Sequence, residues 1–453
     1  MAKLLEINKI TKLTGMTTTN KSFAPLKSSD RILSLDIMRG VVLLGILIMN
    51  INGMALAGAY GDPTVSGGAT GWNLTTWITA NFSFEGTMRA LFSLLFGVGM
   101  FIFMDRLEKK GAGINAANIY FRRLMWLLVF GLIHGYLLLW TGEILYQYAL
   151  MGFLVFSFRY LPPMKLTLIA LLLFSIGALW NYADYKKDVK FVEDVALAES
   201  YKLEGKALTR ELQEVDVKWE EREWKRSPEG IEAYNANMRK GYLDVVKFLA
   251  PENQHYDENW PYRYDLWDVL SMMLLGIALF KWNILSGEKS YSFYGIMAAL
   301  GYLIGLSINY YEIHSIMEGN FSLLSFSKAS ITYDLGRVPV ALGHVGTIML
   351  FCKLPILKWL KISLAAVGKM ALTNYVMHSV FAMFIFTGAG LGLFGTFQRF
   401  ELLYIVIAIW IFQLIVSPIW LKYYQYGPLE WIWRNLSYLK RHPFRKESQN
   451  KES

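Results

Sequence analysis

Residues 31–50 read RILSLDIMRGVVLLGILIMN, and the apolar run that begins in this stretch decides the fold. No side chain from position 40 to 61 is charged, and a helix of about 20 apolar residues is long enough to cross a bilayer. Yet Asp36 and Arg39 stand where the run begins, and Asn50 lies deep inside it. Polar groups inside a membrane need a partner, a cavity or a ligand.

The whole chain shares this apolar character. Of its 453 residues 54% are hydrophobic and only 18% are charged, and the mean hydropathy is +0.31. The sequence therefore predicts an all-α integral membrane protein. A net charge of +9 would favour nucleic-acid binding in a soluble protein. Membrane proteins, however, collect Lys and Arg in cytoplasmic loops, so no nucleic-acid partner is expected. The single cysteine, Cys352, excludes an intramolecular disulfide.

Apolar runs predict a bundle of about ten transmembrane helices. The predicted spans are 34–58, 84–104, 119–140, 143–160, 164–182, 265–281, 291–311, 331–351, 362–386 and 401–424. Lys and Arg concentrate in alternate connections, which places both termini in the cytoplasm by the positive-inside rule. The predicted location is the cytoplasmic membrane, with the lipid bilayer as a partner.

The predicted organisation has five segments. They are a cytoplasmic tail (1–30), helices one to five (31–182), a charged extracytoplasmic helical insert (183–262), helices six to ten (263–424) and a basic cytoplasmic tail (425–453). The insert is rich in Glu, Asp and Lys. It is either a lid over an external acceptor site or a solvated addition, and the second interpretation is favoured because charge runs are usually solvated faces.

Helix geometry places the polar residues of the first span on one face. Fourteen residues at 3.6 per turn bring Asn50 back to within about 40° of Asp36, and Arg39 lies on the same stripe. Ionisable side chains in a membrane usually face a cavity, so this stripe is predicted to line a channel. The alternative is that Asp36 and Arg39, at i and i+3, simply pair with each other.

A second stripe and a histidine follow in the next spans. Glu85 and Arg89, at i and i+4, are either an ion pair or part of an acceptor site. His134 lies between Gly131 and Gly135, where another helix or a ligand can approach closely.

Three further polar residues are candidates for chemistry. Glu143 follows in a short turn, TGE, from which its carboxylate could orient the His134 imidazole as a general base. Asn374 and His378 lie at i and i+4 in the ninth span. A packing role is favoured for His378 and for His344.

Several motifs are absent from the sequence. It contains no G-x-x-x-x-G-K-[ST], G-x-S-x-G or H-E-x-x-H pattern. No Cys/His cluster has metal-ligand spacing, so no metal is expected. The histidines, carboxylates, amides and arginines suit proton transfer, acyl transfer or proton-coupled transport.

Several stretches together resemble the bacterial YeiB-type family of multipass membrane proteins. They cover spans one to four and the C-terminal third, and they leave segment 183–262 uncovered. The matching stretches are LDIMRGVVLLGILIMNI, FEGTMRALFSLLFGVGM, FGLIHGYLLLWTGEILYQYALMG, GKMALTNYVMHS and GPLEWIWRNLSY.

That family resembles a wider group of transmembrane acyltransferases, which includes the lysosomal heparan-α-glucosaminide N-acetyltransferase and the membrane O-acyltransferases. Their opening helix reads D-x-x-R, with a polar residue fourteen positions after the Asp: His in the O-acyltransferases, Asn in the lysosomal branch. The equivalent residue here is Asn50, so the chain is similar to the lysosomal branch. There a catalytic histidine follows the Asn, whereas NGMALAGAYGDPTVSGGATGWNL contains none.

The resemblance implies a membrane acyltransferase that takes an acyl group from a cytoplasmic acyl-CoA-type donor. The implied acceptor is an amine or hydroxyl of a cell-envelope glycan or small molecule on the other side. Since the expected histidine is absent, the base must come from elsewhere. The residues expected to act are Asp36, Arg39, Asn50, Arg122 and Arg123 on the donor, His134 with Glu143 or else His378 as base, and Glu85, Arg89 and Asn374 on the acceptor or the oxyanion.

Two other classes of function fit the same residues. A transporter or flippase for a small amphiphile would use the buried charges as a proton relay. A non-catalytic scaffold would use the insert to bind a partner. The sequence leaves a homodimer open.

Overall fold

A computed structural model describes residues 32–446. The predicted tail 1–30 lies outside the described residues, as do Arg31 and 447–453. The described chain is built from α-helices, with one π-helical turn at Pro261–Asp265. In chain order the α-helices are α1 (Leu33–Ala55), α2 (Gly71–Ser83), α3 (Thr87–Lys109), α4 (Ile114–Leu137), α5 (Leu145–Phe158), α6 (Pro163–Leu203), α7 (Arg210–Arg226), α8 (Pro228–Met238), α9 (Tyr242–Trp260), α10 (Val269–Lys281), α11 (Tyr291–Glu318), α12 (Leu323–Ser330), α13 (Tyr333–Lys353), α14 (Lys358–Lys369), α15 (Ala371–Phe386), α16 (Leu402–Tyr423) and α17 (Pro428–Tyr438).

Within residues 32–446, seven helical stretches are long and apolar enough to cross a membrane. They are Leu33–Ala55, Gly71–Lys109, Ile114–Leu137, Pro163–Leu203, Tyr291–Glu318, Tyr333–Lys353 and Leu402–Tyr423. The apolar helices α5, α10 and α15 have only 14, 13 and 16 residues, fewer than the roughly 20 that a crossing needs. The all-helical fold agrees with the prediction, whereas the count of about ten crossings stays a prediction.

Helix α1 lies inside the bundle, where it packs against α3, α14, α15 and α16. Its contact with α14 brings the two backbones together. A methyl group added at Gly368 would lie 1.9 Å from the carbonyl oxygen of Asp36, and one at Gly40 would lie 2.1 Å from that of Leu364. Small residues allow membrane helices to approach this closely. Helix α14 thereby fixes the position of the Asp36 backbone.

The ninth predicted span, 362–386, is wrong as a single helix. The chain breaks at Met370, which ends α14 and precedes α15. The reason is a distant contact, because Glu430 of α17 accepts hydrogen bonds from the backbone N–H of Thr373 at 3.0 Å and from its hydroxyl at 2.6 Å. A carboxylate in this place satisfies N–H groups that the first turn of a helix leaves unpaired.

Segment 183–262 begins inside α6, which continues without a break to Leu203. Val245 and Leu249 of α9 are fully buried, in one hydrophobic cluster with side chains of α1 and α15. At the end of α7, Arg226 pairs with the buried Asp62 at 2.6 Å. The burial of α9 agrees better with a lid than with a solvated addition, whereas α7 is mostly exposed. The choice between the two interpretations of the whole insert stays a prediction.

The close contact of α14 with α1 predicts a large effect of one methyl group. We expect Gly368→Ala to lower the melting temperature of the purified protein in detergent, because the methyl group must push two backbones apart. Overpacking of this kind costs about 1–3 kcal/mol. The matched control is Gly295→Ala in α11, where an added methyl group meets no atom within 4 Å. Equal melting temperatures for the two variants would contradict the backbone contact.

Candidate functional site

A first cavity, of about 300 Å³, lies between α1, α3, α4, α15 and α17. Cationic side chains outnumber acidic ones around it by six to two, and we call it the basic cavity. The charged residues that line it are Arg39, Arg106, Lys110, Arg123, Lys369, Arg434, Asp36 and Glu430. Most of the remaining lining is apolar, and it includes Phe92, Leu127 and Tyr375.

Aromatic rings hold Arg123 in the basic cavity. Its guanidinium carbon lies 3.5 Å from the ring centroid of Trp433 and 5.0 Å from that of Phe103, within the range of cation–π attraction. The indole N–H of Trp433 donates to the carbonyl oxygen of Arg123 at 2.8 Å, so α17 is tied to α4. Arg122, the other predicted donor-binding cation on α4, is half-buried and does not line this cavity.

The first polar stripe of the sequence borders the same cavity. Arg39 donates to Asp36 at 3.2 Å, and both side chains line the basic cavity. The sequence left two alternatives for Asp36 and Arg39, a mutual pair or the lining of a channel. In the structure the two residues pair with each other and also line a cavity.

A second cavity, of about 820 Å³, is bordered by α1, α3, α5, α6, α11 and α13, and we call it the large cavity. Its charged lining is mixed, and consists of Glu85, Glu143, Asp184, Asp188, Asp265, Glu312, Arg89, Lys187, Arg263, Arg337 and Arg399. Aromatic rings also border it. Tyr256, Trp260 and Tyr264 form a row in which successive ring centroids lie 4.9 and 4.2 Å apart.

The large cavity gathers several predicted residues. Asn50, Glu85, Arg89 and Glu143 all line it. Asn50 is thus separated from Asp36, because fourteen helical residues rise about 21 Å. The prediction that one tunnel wall contains both residues is corrected: α1 borders a different cavity at each end.

Two arginines, the partly buried Arg89 and the buried Arg337, share one aspartate beside the large cavity. Arg89 contacts Asp268 at 2.6 Å, and Arg337 binds the two oxygens of Asp268 at 2.8 and 2.7 Å. Arg337 also pairs with Asp334. Asp265 lies farther away, at 4.0 Å from Arg89. Asp268 is therefore the main counter-ion of both arginines.

The interpretation of Glu85 and Arg89 as a mutual ion pair is wrong. Within residues 32–446 Arg89 pairs with Asp265 and Asp268, while Glu85 accepts a hydrogen bond from the Tyr333 hydroxyl at 2.8 Å. Sequence reasoning missed the two aspartates. The signal that could have found them is an acid placed just before an apolar run, as in RYDLWDVLSMM.

The carboxylate of Glu143 is fixed at the start of α5. It accepts hydrogen bonds from the backbone N–H groups of Leu145 at 2.5 Å and Tyr146 at 2.8 Å. Its Oε1 also lies 3.2 Å from Nδ1 of His134. The predicted contact between His134 and Glu143 is thus present, as is the close approach at Gly131, where a methyl group would lie 2.5 Å from the nitrogen of Tyr146.

His134 and its neighbours lie between the two cavities. Nε2 of the buried imidazole is 2.7 Å from Oγ of Ser379, and the ring meets that of Tyr375 edge-on with centroids 5.0 Å apart. Tyr375 lines the basic cavity, whereas Glu143 lines the large cavity. We call Glu143, His134, Ser379 and Tyr375 the polar wall.

The other predicted residues of α15 lie elsewhere. His378 Nε2 is 3.1 Å from the Gln413 side-chain oxygen, Gln413 donates to the carbonyl oxygen of Asn374, and Asn374 donates to Ser417. These bonds tie α15 to α16, and neither His378 nor Asn374 lines either cavity. Sequence reasoning considered His378 and missed its neighbour, Ser379.

These features define the class: an all-helical multipass membrane protein with two cavities on either side of a polar wall. The chain belongs to the YeiB-like family, and the family model described as "Protein of unknown function (DUF418)" matches residues 279–440.

Two relatives extend along nearly the whole chain. Uncharacterized protein YxaH of Bacillus subtilis (strain 168) is 30% identical over 448 residues, which cover 94% of this chain and 99% of YxaH. Uncharacterized protein YeiB of Escherichia coli (strain K12) is 29% identical over 415 residues, with coverage of 90% and 96%. No solved structure matches the chain. The YeiB-type resemblance is confirmed, and the wider one to acyltransferases stays a prediction.

The shared aspartate predicts a strong dependence of stability on one charge. Asp268→Asn leaves the buried guanidinium of Arg337 and the partly buried one of Arg89 without their main counter-ion, and breaking a buried pair costs about 3–5 kcal/mol. We expect a clear loss of stability in denaturation by SDS from mixed micelles. Glu221→Gln is the control, because Glu221 pairs with Lys225 on the exposed face of α7 and should change little. A variant at position 268 as stable as this control would contradict the shared ion pair.

Proposed function

We propose that the protein is a membrane acyltransferase, which takes an acyl group from a cytoplasmic acyl-CoA-type donor in the basic cavity and passes it to an acceptor in the large cavity. The observation that carries the proposal is the polar wall, which puts a histidine and a carboxylate between the two cavities. In this proposal ten helices cross the cytoplasmic membrane, and both termini and the basic cavity face the cytoplasm.

The basic cavity suits a donor with phosphates and an apolar acyl group. Arg39 and Arg123 supply donors for phosphate oxygens, and arginine binds phosphate in a bidentate manner. The apolar lining near Leu127 and Tyr375 suits the acyl group. Arg106 and Lys110 belong to a basic connection that the positive-inside rule assigns to the cytoplasm.

The large cavity suits a hydroxyl- or amine-bearing acceptor. The row of Tyr256, Trp260 and Tyr264 offers ring faces, and Glu85 and Asn50 offer oxygens that accept hydrogen bonds. A binding site typically combines apolar and aromatic walls with a few placed polar groups. A cell-envelope glycan or a small molecule has this chemistry.

The contacts of His134 suit a general base. A carboxylate only accepts hydrogen bonds, so Glu143 fixes the proton of His134 on Nδ1 and leaves Nε2 to take a proton. Arg89 lines the large cavity and is the better candidate for oxyanion stabilisation, since Asn374 lies outside both cavities.

The activity is tested with purified protein, a set of acyl-CoA donors and a broad panel of sugar amines and alcohols. We expect release of free CoA that depends on the acceptor. His134→Gln should lower kcat by about 10²–10⁴-fold with little change in KM, because a base acts on the chemical step. His344→Gln is the control, since His344 bonds to Tyr302 and to the carbonyl oxygen of Ser83 and lines neither cavity. No CoA release and no acyl-CoA binding would overturn the proposal.

A second test addresses the donor site alone. Arg123→Gln should weaken acyl-CoA binding by about tenfold or more, because a lost charge-assisted hydrogen bond is worth about 1.5–3 kcal/mol. Isothermal titration with a non-hydrolysable acyl-CoA analogue measures this. Lys165→Gln, an exposed cation at the start of α6, is the control. Unchanged affinity in the Arg123 variant would place the donor elsewhere.

The buried charges of Asp268 and Arg337, together with the partly buried Arg89, favour one alternative, a transporter or flippase with an ion relay. Flux of an amphiphile across liposomes without any covalent change would support it. Flux and CoA release are measured on the same preparation, so the two functions are separated directly.

A further inference from the structure

Three side chains of the polar wall form a chain of hydrogen bonds that ends on a hydroxyl. Glu143 Oε1 lies 3.2 Å from His134 Nδ1, and His134 Nε2 lies 2.7 Å from Ser379 Oγ. All three residues are buried, and Ser379 is 245 residues away from His134 in sequence. A nucleophile within hydrogen-bond reach of a base, which a third group orients, is the geometry of an activated serine.

The direction of each hydrogen bond follows from Glu143. Its carboxylate accepts from the N–H groups of Leu145 and Tyr146 and, as an acceptor, requires the hydrogen of the imidazole on Nδ1. Nε2 of the neutral ring then has a lone pair, so the Ser379 hydroxyl donates to it. The serine proton is therefore directed at the base.

The separation of the two cavities suggests a role for the hydrogen-bonded serine. Among the described residues, none lines both the basic and the large cavity. A donor in one cavity and an acceptor in the other do not meet directly. A covalent carrier in the wall between them would solve this problem.

We propose that Ser379 is the nucleophile of a two-step acyl transfer and forms an acyl-serine ester between the two half-reactions. The proposal rests on the proposed function and adds a catalytic residue and a covalent intermediate to it. The substrates of this site are an acyl thioester in the first step and an amine or alcohol in the second.

In the first step Ser379 Oγ attacks the thioester carbonyl carbon, and its proton moves to Nε2 of His134. The carbon–sulfur bond breaks, and the CoA thiolate takes the proton from His134 and leaves as a thiol. In the second step the acceptor nitrogen or oxygen attacks the ester carbonyl and gives its proton to His134. The carbon–oxygen bond to Ser379 breaks, and the serine oxygen takes the proton back.

The approach to Ser379 is closed from both sides in the structure. Its side chain is 1% exposed and lines a third cavity of only about 20 Å³. Tyr375, one helical turn earlier on α15, lies on the side of the basic cavity. Trp140 and Thr141 line both the third cavity and the large cavity. Each half-reaction thus requires only one of these barriers to move, which keeps donor and acceptor apart.

The intermediate is tested by trapping it in the absence of an acceptor. Purified full-length protein is mixed with radiolabelled acetyl-CoA or octanoyl-CoA, quenched in acid and digested, and the peptide that contains Ser379 is analysed by mass spectrometry. We expect one equivalent of CoA released per protein molecule and the mass of the acyl group on Ser379. Alkaline hydroxylamine should remove the label.

Variants separate a nucleophile from a hydrogen-bond partner. Ser379→Ala should abolish labelling and lower turnover on the order of 10³-fold or more, while Ser379→Cys should be labelled as a thioester. Ser271→Ala is the control: Ser271 is buried too, but its hydroxyl donates to the carbonyl oxygen of Trp267, four residues earlier in the chain. Steady-state kinetics should show the parallel lines of a ping-pong mechanism.

Two results overturn the proposal and are distinguishable. Acceptor-dependent CoA release without any acyl-serine, or full turnover by Ser379→Ala, would contradict the role of Ser379 as nucleophile. Either result would still agree with the proposed acyltransferase activity. A wild-type protein that neither binds acyl-CoA nor releases CoA would contradict both the acyltransferase activity and the role of Ser379.

Discussion

The hydrogen bonds that Glu143 accepts at the start of α5 are the constraint on which the candidate site depends. An unpaired buried carboxylate is costly, and here the N–H groups of Leu145 and Tyr146 provide hydrogen bonds to it. The carboxylate orients His134 on α4, and the imidazole reaches Ser379 on α15. The consecutive helices α4 and α5 are thereby joined at one point to α15, which is distant in sequence, and the two cavities stay apart.

The chemical contrast between the cavities comes from the ends of the same helices. Helix α1 borders the basic cavity with Asp36 and Arg39 and the large cavity with Asn50. Helix α3 borders the basic cavity with Arg106 and the large cavity with Arg89. A helix that crosses a bilayer must put its polar residues near its ends or toward the bundle interior, so each helix serves both sites.

Apolar periodicity was enough to predict most of the helices, because the bilayer imposes both length and composition on a crossing segment. It failed at Met370, where the break depends on Glu430, and around Asp268, whose position depends on arginines of α3 and α13. Within the site, helix geometry was enough to predict the pairing of Asp36 with Arg39. The short TGE turn was enough to predict that Glu143 lies beside His134. The contact of His134 with Ser379 is long-range, and no local pattern contains it.

Helix α6 has 41 residues without an interruption. At about 1.5 Å per residue it is about 60 Å long, roughly twice the thickness of the hydrocarbon core. Its apolar half packs against α10, and its other half carries Asp184 and Asp188 to the large cavity and packs against α7. Such a rod cannot tilt at one end without swinging the other. A displacement of the charged half at the large cavity would therefore also move the apolar half that packs against α10.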